Sequence, residues 1–283
     1  MTTRPPAVSR QDIGDSEIQY LDYGGDGHPL VMLHATGFLP WLWHPIARKL
    51  SATYRVIAPY FCDHRQADAN AGGLGWLGLA EDLKQFCQAL NLEKPFCIGH
   101  SMGATVIALA HTYHGQPAGK LVLIEPILLP RDFYREHISV NQHPLASKAV
   151  KRRNQWSTRA EVEEDFKTKK FFQTWDSEVL SLYITHGITG NDAEGFSLTC
   201  SPHREASLFM GSMQFDPWPL LPKIACPTLI LEGETSENSL FIDLKMATEL
   251  IPGARYFLVR GAGHLIPMEQ PAETGDILMD FLR

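Results

Sequence analysis

The chain has 283 residues, of which 44% are hydrophobic, enough for a sizeable core in one α/β domain with an insertion or in two small domains. Its formal charge of −7 argues against a nucleic-acid partner, because phosphate binding needs a basic face. The concentrated basic stretch at 148–153 and the acidic stretch at 161–165 read as solvated helical surface.

In chain order, Leu30-Val31-Met32-Leu33 reads as a buried strand, followed by helical spacing over 41–50. Residues 54–58 form the next strand, which Pro59 ends. Leu79, Leu83, Phe86, Cys87 and Leu90 fall on one helical face, which predicts a helix over 76–91. A strand over 95–99, a helix over 102–113 and a strand over 121–124 follow. The Gly-rich run Gly72-Gly73-Leu74-Gly75 reads as a loop. This β-α-β-α rhythm implies a mostly parallel sheet with helices on both faces.

The rhythm breaks after Pro126. Residues 127–215 are more charged, helix-like and rich in aromatics, with no clear strand. Strands at 228–231 and 256–259 and helices at 240–250 and 269–282 then resume the pattern. We therefore expect an α/β core from 1–126 and 216–283, with a helical cap at 127–215 inserted after the strand ending near Glu125. Cys62, Cys87, Cys97, Cys200 and Cys226 are scattered without a CxxC pair, which reads as reduced thiols in a cytoplasmic protein. The N-terminal stretch lacks an apolar signal core, and no apolar run approaches the ~20 residues of a membrane helix.

Gly99-His100-Ser101-Met102-Gly103 matches G-x-S-x-G. At a Gly frequency of ~7%, chance supplies such a match in roughly one chain in ten of this length, so context must decide. The apolar strand before it and the small-residue helix after it are the context of a nucleophile elbow, against the alternative of a serine N-cap with incidental glycines. His264, in Arg260-Gly261-Ala262-Gly263-His264, follows the last strand. From there a loop histidine can reach Ser101 as general base, although twelve histidines leave an ordinary loop residue as the rival reading. Small residues in Leu33-His34-Ala35-Thr36-Gly37-Phe38 let backbone N–H groups face a reacting carbonyl, and Met102 and Thr36 supply the candidate oxyanion-hole amides. His34 is expected to support this loop.

Together LHATGF, GHSMG and GAGH resemble the α/β-hydrolase family, in that order, over nearly the whole core. The resemblance implies the α/β-hydrolase fold, a Ser–acid–His triad in that chain order, and no metal or organic cofactor. The cap run KRRNQW…FFQTWD…LYITHG also resembles caps of hydrolases in fungal toxin biosynthesis clusters. Two departures from the family pattern stand out. Where many members carry an Asp and then R-G-H-G, this chain reads Pro59-Tyr60-Phe61-Cys62-Asp63-His64-Arg65, with His64 alone fitting; this points to a structural or substrate-shaping loop, with a reactive Cys62 as the minor reading. At the usual acid position stands Ser236, followed by Glu237.

The acid candidates are Glu125, which ends an apolar strand where a charge needs a reason, and Glu237, in the polar run Glu234-Thr235-Ser236-Glu237-Asn238 that reads as a solvated loop. Resemblance favours Glu125, since members with Ser at the usual acid position often take the acid from the end of the preceding core strand. The cap aromatics Phe171, Phe172, Trp175, Phe209, Phe215 and Trp218 read mostly as cap core, with some lining an apolar acyl or aryl pocket. The expected activity is hydrolysis of a carboxylic ester, lactone or thioester through an acyl-enzyme on Ser101. Carbon–carbon bond hydrolysis or acyl transfer on the same triad, and a slow-turnover ligand sensor, are the alternatives. The expected partner is a small apolar molecule; the sequence does not fix an oligomeric state.

Overall fold

The computed structural model describes residues 5–62 and 64–283. Eight strands form one sheet in the order β1-β2-β4-β3-β5-β6-β9-β10. They are β1 (Ala7–Asp12), β2 (Glu17–Asp22), β3 (Pro29–Leu33), β4 (Arg55–Pro59), β5 (Phe96–His100), β6 (Lys120–Ile124), β9 (Thr228–Gly233) and β10 (Arg255–Val259). From β4 to β10 every pairing is parallel, whereas β1 and β2 form an antiparallel hairpin that joins β4 antiparallel. The sequence reading had no element for this hairpin. Its β1 strand is AVSRQD, largely exposed, and carries no apolar run to betray it.

The central strands carry mostly apolar runs because both faces are covered, as parallel sheets require. Alternate residues go to opposite sides. Val31, Leu33, Cys97, Leu121 and Leu123 pack with α2 (Trp76–Ala89), α3 (Met102–Thr112) and α8 (Leu244–Leu250). Leu30, Met32, Ile98, Val122 and Ile124 pack with α1 (His44–Leu50), α9 (Ile266–Glu269) and α10 (Pro271–Leu282). The helix expected at 269–282 is α10, opened by Pro271, and the short α9 precedes it. The helix expected at 240–250 is a 3-10 turn, Glu237–Leu240, and then α8, started by Asp243, whose side chain accepts from Met246 N at 2.8 Å.

Between β6 and β9 lie α4 (Ala146–Ala149), α5 (Arg159–Thr168), α6 (Ser177–His186), a hairpin of β7 (Ile188–Asn191) and β8 (Gly195–Leu198), and α7 (Pro202–Gly211). The hairpin corrects the expectation of no strand in this segment. Its polar turn and four-residue strands leave little hydrophobic signal. Helix α7 docks on the Gly-rich loop before α2, where Leu74 N donates to Ser207 O at 3.0 Å. The charged stretches are also corrected in part: Arg153 does pair with Glu161 at the surface, but Arg152 turns inward. No helix among the described residues is long and apolar enough to cross a membrane.

Candidate active site

Parallel strands deliver their carboxyl ends to one edge of the sheet, and the candidate residues gather there. Ser101 follows β5 directly and opens α3 with φ +56° and ψ −115°. Such a backbone is costly for a residue with a Cβ and persists only where the surroundings impose it. Here Ser101 N donates to Ile124 O at 2.9 Å, and the first turn of α3 returns to Ser101 O through Ala104 N at 3.1 Å. The elbow's glycines are required by close approach: a Cβ on Gly103 would stand 2.5 Å from Leu33 O, and one on Gly99 2.4 Å from Ala104 N.

Glu125 ends β6 with φ +48°, held by Glu125 N donating to Leu231 O at 2.9 Å. Its carboxylate is buried and receives three donors. Gly233 N reaches Oε1 at 2.7 Å, Ser236 Oγ reaches Oε2 at 2.8 Å, and His264 Nδ1 lies 2.9 Å from Oε2. That donor set suits a carboxylate. The other ring nitrogen of His264, Nε2, lies 3.1 Å from Ser101 Oγ. Serine, histidine and carboxylate therefore form one hydrogen-bonded line. With Nδ1–H given to Glu125, the Nε2 lone pair faces the serine hydroxyl, the tautomer that can take its proton. Glu237 is exposed at the start of its 3-10 turn, and the carboxylate within hydrogen-bond reach of His264 is that of Glu125.

Met102 is the first residue of α3, where a helix leaves its N–H groups without intrahelical acceptors. Thr36 is nearly buried in the loop after β3. Among the described residues neither amide N–H has a protein acceptor. His34 is the strut of this loop: Nδ1 donates to Ala35 O at 2.9 Å and Nε2 accepts from Phe61 N at 2.9 Å. Burial pushes its pKa down to about 4, so it stays neutral in that role.

His100 was passed over in the sequence as the variable position of G-x-S-x-G. It is fully buried, and its Nε2 donates to the backbone carbonyl of His264 at 2.9 Å, tying the histidine loop to the elbow. Burial drives its pKa down to about 3, and its Nδ1 has no hydrogen-bond partner. The run 234–238, read as solvated, instead turns Ser236 and Asn238 inward; Asn238 Nδ2 lies 2.9 Å from His264 Nδ1. Only the unusual Ser at the acid position hinted at this in the sequence.

The rebuilt loop after β4 is structural where it is described; Asp63 lies outside the described residues. His64 Nε2 lies 2.9 Å from Asp82 Oδ2 on α2, and Arg65 Nε donates to the same carboxylate at 2.6 Å. Burial alone would raise the Asp82 pKa, but these hydrogen bonds outweigh it and lower the value. Cys62 is buried, with Sγ 3.9 Å from His34 Nδ1, and no cysteine forms a disulfide.

Above the loop after β3, three elements from between β6 and β9 converge. Arg152 donates to Glu205 Oε2 of α7 at 3.1 Å and to Tyr183 Oη of α6 at 2.8 Å. Glu205 presses on Gly37, where a Cβ would meet Oε1 at 2.6 Å. Phe38, from the same loop, packs edge-on to Trp175 and Tyr183. Phe172 and Trp175 join Phe166, Leu39, Leu42, Leu265 and Met268 in one apolar cluster beside His264. Trp218 and Phe215 pack instead with the main core, Phe209 packs against a small cluster around Ala206 and Met210, and Phe171 is exposed. A surface hollow of about 1110 Å³ opens at the opposite edge of the sheet, beside Pro29, Arg55 and Lys94, and holds none of these groups.

Residues 30–277 match the family described as the alpha/beta hydrolase family, and the chain belongs to it. The abhydrolase domain-containing protein AKT2 of Alternaria alternata is 27% identical, over 65% of this chain and 81% of that protein. N-formylmaleamate deformylase of Pseudomonas putida is 25% identical, over 88% of this chain and 87% of that one. The crystal structure of E-2-(acetamidomethylene)succinate hydrolase superposes with a TM-score of 0.82 at 18% identity, covering 98% of this chain and 99% of that one. At that identity the likeness is one of fold.

Proposed function

We propose that this protein is a serine hydrolase that cleaves a carboxylic ester, lactone or thioester through an acyl-enzyme on Ser101. The single observation that carries the reading is His264, whose two ring nitrogens reach Ser101 Oγ at 3.1 Å and Glu125 Oε2 at 2.9 Å. Ser101 attacks the carbonyl carbon while His264 Nε2 takes its proton. The Met102 and Thr36 amides receive the oxyanion, and Glu125 stabilises the imidazolium. His264 then returns the proton to the leaving group, the acyl-enzyme forms, and water attacks it by the same route in reverse.

Residues 127–215 act as a cap on a core formed by 1–126 and 216–283. The aromatic cluster that joins this segment to Phe38 and Leu265 supports an apolar acyl or aryl substrate. Five cysteines without a disulfide support a reducing, cytoplasmic setting. The deformylase among the relatives brings a second reading, hydrolysis of a bond other than an ester on the same triad.

A fluorophosphonate probe tests the reading. One adduct is expected, mapped to Ser101, abolished in Ser101→Ala and slowed by orders of magnitude in His264→Ala. No labelling of the folded protein, or labelling elsewhere, refutes it. Turnover of simple esters without a partner protein separates the enzyme from a ligand sensor.

A further inference from the structure

The inward turn of Asn238 is not explained by the needs of its own loop. That loop is held by main-chain and serine contacts: Phe241 N and Ile242 N donate to Asn238 O at 3.0 and 2.8 Å, and Ser239 Oγ donates to Ser236 O at 2.7 Å. None uses the Asn238 side chain. The amide instead meets His264 Nδ1 at 2.9 Å, beside the 2.9 Å contact of the same nitrogen with Glu125.

One ring nitrogen carries one proton. When Nδ1–H is donated to Glu125, it offers no lone pair to a second donor, so an amide N–H there would be repelled. A half-turn of the amide exchanges its nitrogen and oxygen with little change in shape. We propose that Asn238 is a positioning residue for His264, presenting Oδ1 as a second acceptor for the Nδ1 proton and so stabilising the imidazolium formed as Ser101 loses its proton. This rests on the serine-hydrolase reading above and deepens it.

The groups that face His264 are few. Glu125 comes from the end of β6, and His100 from the end of β5, with its ring centroid 5.2 Å away. Glu269 of α9 approaches through its bond to Gly263 N at 2.6 Å, and exposed Glu237 adjoins Asn238 in sequence. Removing one neutral acceptor leaves all these charges in place, so its effect on the imidazolium has a definite sign.

The experiment measures kcat/KM for 4-nitrophenyl butyrate, and the rate of fluorophosphonate labelling at Ser101, between about pH 5 and 9. In Asn238→Ala the acid limb of both profiles is expected to move to lower pH by about half a unit to one unit, because the protonated base has lost an acceptor. At the plateau kcat is expected to fall roughly five- to tenfold, with KM within about twofold. In Asn238→Asp the added negative charge is expected to move the limb to higher pH. A merely structural role predicts no opposed shifts. An upward shift in Asn238→Ala means that the amide donates, and overturns the proposal, as do unmoved limbs in both variants. If labelling still requires Ser101 and His264, only the role of Asn238 falls; if the parent enzyme shows no Ser101 labelling, both readings fall.

Discussion

Replacing Glu125 by Gln keeps the shape of the side chain and its bond from Gly233 N, and removes the charge. The size of the effect follows from the geometry. With Glu125 Oε2 2.9 Å from His264 Nδ1, an effective dielectric of about 20 gives a carboxylate–imidazolium attraction of about 6 kcal/mol. That corresponds to roughly four powers of ten in rate, if the imidazolium is fully formed in the transition state. The neutral amide has a second effect. Its N–H can donate to Nδ1, which favours the tautomer whose Nε2–H points at Ser101, and that tautomer cannot act as base. Glu125→Gln is therefore expected to lower kcat on 4-nitrophenyl butyrate by about 10³ to 10⁴, with an unchanged circular dichroism spectrum. Glu237→Gln is expected to remain near parent activity. Ser236 Oγ lies 2.8 Å from the same carboxylate oxygen, so Ser236→Asp in the Glu125→Gln background places a new carboxylate close to the lost one and should restore part of the rate. A Glu125→Gln enzyme within tenfold of the parent refutes the assignment of the acid, and the reverse pattern of the two glutamine variants transfers it to Glu237.

The buried, neutral His34 and His100 have folded-state pKa values of about 4 and about 3, both below the ordinary histidine value, so the unfolded chain binds more protons in the interval between. The contribution of these two groups to stability is therefore fully present above about pH 6.5 and is expected to fall by about 1.4 kcal/mol per histidine per pH unit below it, down to their folded-state values; urea titrations at pH 7.5 and 5.5 read the difference, and equal midpoints contradict it. Gly103→Ala drives a Cβ to 2.5 Å from Leu33 O, a backbone atom that cannot swing aside, and is expected to cost roughly 3 kcal/mol or more by chemical denaturation. Across 4-nitrophenyl esters from acetyl to octanoyl, kcat/KM is expected to rise a few-fold per carbon, at about 0.8 kcal/mol per buried methylene, until the apolar space fills; a flat or falling series argues against such a space.

The central strands were legible in the sequence because a parallel sheet covered on both faces leaves unbroken apolar runs, as in Leu30-Val31-Met32-Leu33. Ser101 was legible because a tight strand-to-helix turn needs small neighbours at Gly99 and Gly103. The hairpin of β1 and β2 was not, since a half-exposed edge alternates too weakly to register. Arg152 was hidden for a different reason. Its burial depends on Glu205 and Tyr183, 53 and 31 residues away, and no local pattern encodes such partners. Asn238 was hidden likewise, in a run whose polar composition is that of any solvated turn, because the ring of His264 that it meets lies 26 residues away.

The line of hydrogen bonds from Ser101 to Glu125 by way of His264 also has a meaning in time. Ser101 and His264 are 163 residues apart, and the pairing of β6 with β9 spans everything between Ile124 and Thr228. At a synthesis rate of about 5 to 20 residues per second, Ser101 leaves the ribosome roughly ten to thirty seconds before His264. Throughout that interval the nascent chain carries Ser101 without the histidine proposed to deprotonate it. Once β9 exists, the insertion hinders closure only weakly, since each doubling of a loop adds about 0.6 kcal/mol. The segment can therefore lengthen or shorten over evolution with little burden on the sheet, while on the proposed mechanism activity waits for the arrival of His264. A product truncated before His264 is expected to be silent however well its sheet is formed.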